Sequence, residues 1–288
     1  MNLAAAGLEE VGTGPASRRP GAARGPSARA YLLIALGEYA LDRGDAAWTQ
    51  TLVDALGLVG FEEKAVRQAL TRSASAGLLE PGRVGRRTRW RITGAGRDAL
   101  LAAGRRLFAA GPEQDWNGDW LILLTTVPEN HRNLRHRLRT LLGWAGFGSP
   151  GPGVWISPHP SRAAEARQVL GSLGEPVRGT LLHARLDDPE ERHGLVSQAW
   201  DLGDLDRQYR AFVDRFAPLR PDTAGETLAQ LAHLVYQWRR LLLADPGLPP
   251  SLLPDRWSGD RARQLLLDRH ARWRPVARDW WRDREAGE

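Results

Sequence analysis

The stretch AVRQALTRSASAGLLEPGRVGRRTRWRIT, residues 65–93, decides how the fold is read. Its first part has the periodicity of a helix, from about Glu62 to Ala76. Stepped at 100° per residue, Phe61, Val66, Ala69, Leu70 and Ser73 gather on one side. Lys64, Arg67, Gln68, Thr71 and Ser75 gather on the other, with Arg72 on the flank. Gly77 stands where a helix end calls for a left-handed residue. Beyond it, Leu78–Glu80 and Thr88–Ile92 read as extended pieces around a Gly- and Arg-rich hairpin loop, Pro81–Arg87. Arg83, Arg86, Arg87, Arg89 and Arg91 put five arginines into nine residues. A hairpin this basic repels itself unless it meets an anion, and DNA phosphate is the evident one. The outward helix face carries donors suited to phosphates and to the major-groove edges of guanine and adenine. Taken singly, a solvated surface explains either feature as well; together, at this spacing, they point to double-stranded DNA.

The flanks extend the pattern. From Ser27 a helix runs with Tyr31, Ile34, Leu36 and Tyr39 inward, and Asp42–Asp45 make a turn. Trp48 falls on a short strand, Thr49 suits the N-cap of a helix ending at Gly57, and Thr93 caps another helix to about Phe108. Helix, helix, helix, hairpin, helix is the order of a winged helix-turn-helix, here over residues 27–111. Residues 1–26, rich in Ala, Gly, Pro, Ser and Arg without apolar periodicity, read as a disordered tail. Its arginines Arg18, Arg19 and Arg24, with Arg29 at the border, either touch phosphates or are simply solvated.

A different pattern starts at Trp116. Trp120–Thr126 reads as a buried strand, and Asn130–Trp144 as a helix with Leu134, Leu138, Leu141 and Leu142 inward. Val154–Ser157 is a strand, Arg162–Leu173 a helix and Val177–Leu186 a strand, with room in Gly146–Gly153 for one more. That is β-α-β-β-α-β, a ferredoxin-like domain over residues 112–188, and it makes the whole chain α+β. Residues 189–288 read as a helical C-terminal domain, its last helix from about Gly259 to Arg284 with Leu266, His270, Trp273, Ala277 and Trp280 on one stripe. Leu231, Val235, Trp238 and Leu242 form another stripe with two explanations: packing within the chain against the last helix, or a homodimer contact of the two-fold kind that a palindromic DNA site calls for.

Composition narrows the functional class. The chain has 288 residues and a formal net charge of +6, and Lys64 is its only lysine. The absence of cysteine removes disulfides, thiolate nucleophiles and Cys-based zinc sites together. The longest apolar runs, such as Tyr31–Leu36 and Trp120–Leu124, are too short to span a bilayer, and Glu9 and Glu10 do not fit a secretory leader. The expected location is the cytoplasm, with no membrane partner. His131 and His136 are misplaced for shared metal ligation on a helix, and neither G-x-S-x-G nor G-x-x-x-x-G-K-[ST] occurs. Asp187 and Asp188 look like turn residues. No catalytic residue, metal or cofactor is expected. Arg132, Arg135 and Arg139 make an outward stripe that could hold a nucleotide diphosphate or simply face solvent.

Five segments resemble the PaaX-type repressors of phenylacetic acid catabolism. AVRQALTRSASAGLL (65–79) with GRRTRWRIT (85–93) is similar to the family's recognition helix and wing. WNGDW (116–120) resembles the start of its middle domain, and GWAGFGSPGPGVWISP (143–158) that domain's central motif. DPGLPPSLLPDRWSG (245–259) resembles the C-terminal one. The resemblance implies a winged-helix domain, a Cas2-like middle domain and a helical dimerisation domain. It also implies a repressor released from operator DNA by an aryl-CoA thioester such as phenylacetyl-CoA. Cas2-type domains that cut nucleic acid hold a metal on an Asp at the end of the first strand. Here that strand ends in Thr125, Thr126, Val127 and Pro128, so the domain reads as a scaffold, with a metal-dependent nuclease as the alternative. A CoA thioester needs fixed cations beside an apolar slot; Arg132, Arg135 and Arg139 offer the first, and Trp144, Trp155 and Trp238 are candidates for the second.

Overall fold

The computed structural model describes residues 26–41, 44–108 and 116–287. All but the last residue of the expected tail, with Arg18, Arg19 and Arg24, and the turn residues Asp42 and Arg43 lie outside the described residues. In chain order the elements are α1 (Ala28–Ala35), continued by a π-helical turn (Leu36–Ala40), β1 (Ala46–Trp48), α2 (Thr49–Gly57), α3 (Glu63–Ser75), β2 (Leu79–Val84), β3 (Arg87–Ile92) and α4 (Gly94–Leu107). There follow β4 (Asp119–Thr126), α5 (Arg132–Trp144), β5 (Gly148–Gly151), β6 (Val154–Ser157), α6 (Ala163–Leu173), β7 (Arg178–Arg185), α7 (Pro189–Ala199), α8 (Leu202–Phe216), α9 (Ala224–Ala244) and α10 (Gly259–Ala286). They form two compact units, one from Met1–Ala109, Arg215–Arg239 and Arg263–Glu288, the other from Ala110–Asp214 and Arg240–Ala262.

In the first unit, Ser27 caps α1 by accepting from the Ala30 amide, and Tyr31, Leu32, Leu36 and Tyr39 are buried. Helix α3 ends as its sequence predicts: Gly77 takes φ +73°, and the amides of Gly77 and Leu78 return to the carbonyls of Ala74 and Ser73. Thr93 accepts from the Gly96 amide at 3.0 Å and donates to the Gly77 carbonyl at 2.6 Å, so one hydroxyl joins the start of α4 to the end of α3. The hairpin differs from expectation. Its strands reach Val84 and Arg87, leaving a two-residue loop in which Gly85 has φ +62°. Pro81 and Gly82 sit inside β2, and the strand order β1-β3-β2 puts β2 at an edge, where the missing proline N–H breaks no ladder. Thr49 is the first residue of α2 rather than its cap, which is Trp48. Its hydroxyl instead donates to the Thr88 carbonyl and accepts from the Trp90 indole, tying α2 to the hairpin.

The stripe that offered a dimer contact is largely consumed within the chain. Leu231, Val235 and Trp238 are buried, and the Trp238 indole donates to the Leu107 carbonyl at the end of α4 at 3.1 Å. On α10 the buried tryptophans are Trp273 and Trp281; Trp280, expected on that stripe, is half-buried. Trp281 stacks on Tyr39 with ring centroids 5.2 Å apart. Glu38, from the π-helical turn, is 8% exposed and accepts from His270 Nε2 (3.0 Å) and Arg274 Nε (2.9 Å) of α10.

The second unit holds a sheet in the order β5-β6-β4-β7, antiparallel throughout, which with α5 and α6 completes the β-α-β-β-α-β order. Strand β4 is not buried along its length. Leu121 and Leu123 pack on Leu138 and Leu142 of α5, Ala166 of α6, Phe147 and Trp155. Trp120 points the other way and packs with Ile156, Val196 of α7, Leu248 and Leu252, while Leu124 is 42% exposed. The period of two is that of a strand with two faces. The 143–158 and 245–259 motifs meet in this unit, where Ile156 packs with Leu248 and Leu252. His159 Nε2 bonds the Gly247 carbonyl at 2.7 Å, and the Gly247 amide donates to Asp245 at 2.7 Å. Tyr209 of α8 donates to the other oxygen of Asp245. Asp188 caps α7 by accepting from Glu190, the turn role expected of it. Among the described residues no helix is long and apolar enough to cross a membrane.

Candidate nucleic-acid interface

Helix α3 divides as its sequence does. Val66, Ala69, Leu70 and Ser73 are buried, and Lys64, Arg67, Gln68, Thr71 and Arg72 are all exposed. Burial of the first set fixes the rotation of the helix and so presents the second as one polar face. Arg67 Nε meets Glu63 at 2.6 Å, an exposed pair one turn apart. Such a pair is worth only a few tenths of a kcal/mol and yields readily to a stronger anion. Thr71 returns its hydroxyl to the Arg67 carbonyl, which leaves the oxygen able to accept. Arg29 of α1 has its pKa lowered, first by burial and then by the charge of Arg72.

The hairpin projects its charge from the outer end. Arg86 is exposed in the Gly85–Arg86 loop, and Arg83 and Arg87 are exposed on either side of it. Arg91 is paired with Glu80 across the ladder at 2.8 Å. Arg89 is set differently. Its guanidinium lies 5.4 Å from the centre of the Trp48 ring and 3.9 Å from a Glu285 oxygen. Glu285, which comes from the end of α10, had no signal in the sequence that could link it to a hairpin some two hundred positions earlier.

The six residues proposed for an effector fall into both units. Arg132, Arg135 and Arg139 are exposed along α5, where Arg135 donates to the Glu129 carbonyl at 2.7 Å. Trp144 is half-buried at the end of the same helix, and Trp155 is in the core with its indole on Thr125 Oγ1 at 3.1 Å. Trp238 belongs to the other unit. Thr125, near the end of β4, is thus an internal hydrogen-bond partner, and it also donates to the Gly153 carbonyl at 3.3 Å. Among the described residues no group of three or more His, Cys, Asp or Glu side chains is arranged to hold a metal ion.

Comparison with known proteins covers nearly the whole described chain. Residues 27–96 match the family described as PaaX-like protein, residues 113–196 the PaaX protein central Cas2-like domain, and residues 200–283 the PaaX-like protein C-terminal domain. The chain is 30% identical over 246 residues to the Transcriptional repressor PaaX of Escherichia coli (strain K12), an alignment that spans 82% of this chain and 77% of that protein. An uncharacterized protein from Mycobacterium tuberculosis shares the fold, with a TM-score of 0.60 and 24% identity over 89% of this chain and 99% of that one.

Proposed function

The chain belongs to the family of PaaX-like proteins, and on that premise we propose that it is a transcriptional repressor that reads operator DNA through a winged helix-turn-helix formed by residues 27–107. The observation that carries this reading is the exposed face of α3, with Lys64, Arg67, Gln68, Thr71 and Arg72 together, followed directly by a hairpin bearing Arg83, Arg86 and Arg87 at its tip. In this reading α3 lies in the major groove and the wing arginines lie on phosphates or in the minor groove.

The test uses duplexes that the protein itself selects from a random-sequence pool. Arg67→Ala should weaken the selected site by ~1–3 kcal/mol and relax its sequence preference. Arg87→Ala should weaken all duplexes alike and lower the slope of log affinity against log salt by about one contact. A double variant that binds the selected duplex as the wild type does would show the DNA-binding surface to be misassigned.

The repressor acts as a homodimer on a two-fold site, through a surface other than the Leu231–Trp238 stripe, and an acyl-CoA thioester releases it. Support for the ligand is the stripe of Arg132, Arg135 and Arg139, cations that suit its phosphates. A 100-fold loss of operator affinity needs ~2.7 kcal/mol of coupling, and the DNA weakens the ligand equally. Phenylacetyl-CoA, related acyl-CoAs and the free acids, titrated into the protein–DNA complex, decide the point. Release by free acids and by no thioester would move the protein to another pathway with the same architecture.

A further inference from the structure

The hairpin is gripped partway along β3, at Arg89, by the end of α10. β1 is only three residues long and lies at the edge of its sheet, paired on one side with β3 in the register Trp48↔Arg89. An edge strand leaves backbone donors without a neighbouring strand, and such groups need a partner when partly buried. Glu285 supplies it. Its Oε1 accepts from the Trp48 amide at 2.9 Å, and its Oε2 lies 3.9 Å from Arg89, the residue across the ladder from Trp48. The Arg89 guanidinium in turn lies over the Trp48 ring. One carboxylate thus holds both members of a single cross-strand pair. Beside it, Arg284 meets Asp54 of α2 at 2.9 Å. A turn earlier Trp281 stacks on Tyr39, and two turns before that Arg274 meets Glu38. The last three turns of α10 therefore touch the π-helical turn, β1, α2 and β3.

We propose that the end of α10 is the brace that sets the wing on DNA, with Glu285 as the positioning residue. The proposal rests on the reading of the hairpin as a wing. A two-stranded hairpin is marginal alone, and its tip, with Arg83, Arg86 and Arg87, stands beyond the gripped pair. Fixing Trp48 and Arg89, which stands opposite Gly82 and two positions from the strand end at Arg87, fixes the direction in which that tip points. Phosphates are then met by arginines already aimed, without the ordering that a loose hairpin must undergo on binding. Arg89 acts here as part of the brace.

The experiment compares wild type, Glu285→Ala, Glu285→Gln and Arg87→Ala on the duplex selected by the wild type, with amide exchange measured on the same proteins without DNA. Gln keeps the acceptor for the Trp48 amide, so Glu285→Gln should bind within a few-fold of wild type. Glu285→Ala loses a hydrogen bond to a charged group and should bind about tenfold more weakly, with a salt slope lower by about one. Its amides in residues 46–48 and 87–92 should exchange faster while those of Leu32–Ile34 keep their protection. Glu285→Ala with wild-type affinity beside a weakened Arg87→Ala overturns the brace and leaves the DNA face standing. Uniformly faster exchange, Leu32–Ile34 included, makes Glu285 a general stabiliser and overturns the positioning role. If Arg87→Ala binds as wild type, the wing reading fails and the brace fails with it.

Discussion

Single residues hold the first unit in one protonation state. The Tyr31 hydroxyl lies 2.6 Å from His233 Nδ1, and its ring stacks on Tyr236 at 4.8 Å. Burial first, then the neighbouring Tyr236, pushes the Tyr31 hydroxyl up to about 12, although Arg215 pulls it back. Burial first, then Arg215, pushes His233 down. Both shifts favour neutral partners across this hydrogen bond. An unfolded tyrosine titrates near ~10 and an unfolded histidine near ~6.5. The Tyr31 contribution is therefore complete below about pH 10 and lost as pH rises from there toward 12, whereas that of His233 is complete above about 6.5 and fades as pH falls below it. Denaturation midpoints measured across pH should fall at both ends, and Tyr31→Phe should flatten the alkaline limb. Glu38→Ala leaves Arg274 and His270 facing a buried gap and should lower stability by ~3 kcal/mol in urea unfolding, at the low end for a broken buried pair because the Arg274 side chain is 30% exposed. Tyr31 and Tyr39 were legible as core from their helical spacing. Glu38, His233 and Glu285 were not, because a polar residue on a helix gives no sign of which group roughly two hundred positions away will meet it.

At the scale of elements, the buried face of α3 was legible: apolar spacing picked out Val66, Ala69, Leu70 and Ser73, because one side of a helix must be dry. The hairpin was half legible. Pro81 and Gly82 read as loop, since local chemistry cannot tell that β2 would be an edge strand, where proline is harmless. The joint between α3, β2 and α4 turns on Gly96, where an added Cβ would collide with the Leu78 carbonyl oxygen. Gly96→Ala should cost ~1–3 kcal/mol, in spite of alanine's better helix propensity, because backbone has to move. Thermal unfolding of that variant beside Gly104→Ala, where the space is open, is the check: the second should be neutral or stabilising. The C-terminal stripes show why helical periodicity misleads about partners. It located Leu231, Val235 and Trp238 on a buried face, yet an apolar stripe has the same pattern whether its cover is the same chain or a second copy. On α10 the same reasoning chose Trp280 for a face that Trp281 fills, an error of one residue over a helix of 28 residues that contains Pro275.

At the scale of the whole molecule, the two compact units are each built from separated stretches of the chain. The unit that carries α3 and the hairpin is completed by Arg215–Arg239 and Arg263–Glu288. A chain ending at Ala262 should therefore lose more than a terminal helix. Hydrogen exchange should show α1 and its π-helical turn unprotected, and protection there equal to that of the full chain would overturn this view of the unit. Loss of DNA binding by such a truncated protein, or by one ending near Asp188, is thus expected from the reading unit itself, whatever the oligomeric state. The grip of Glu285 on Trp48 has a consequence during synthesis. At ~5–20 residues per second a ribosome needs roughly 10–35 s to pass from Leu107 to Glu285. Through that interval the nascent chain already carries every residue proposed to read DNA, while the aromatic surface of Tyr39 still lacks its cover. Such a polypeptide offers itself to chaperones before it can offer itself to a promoter. A message broken before its last codons would yield protein that is cleared rather than a faulty regulator that competes for the operator.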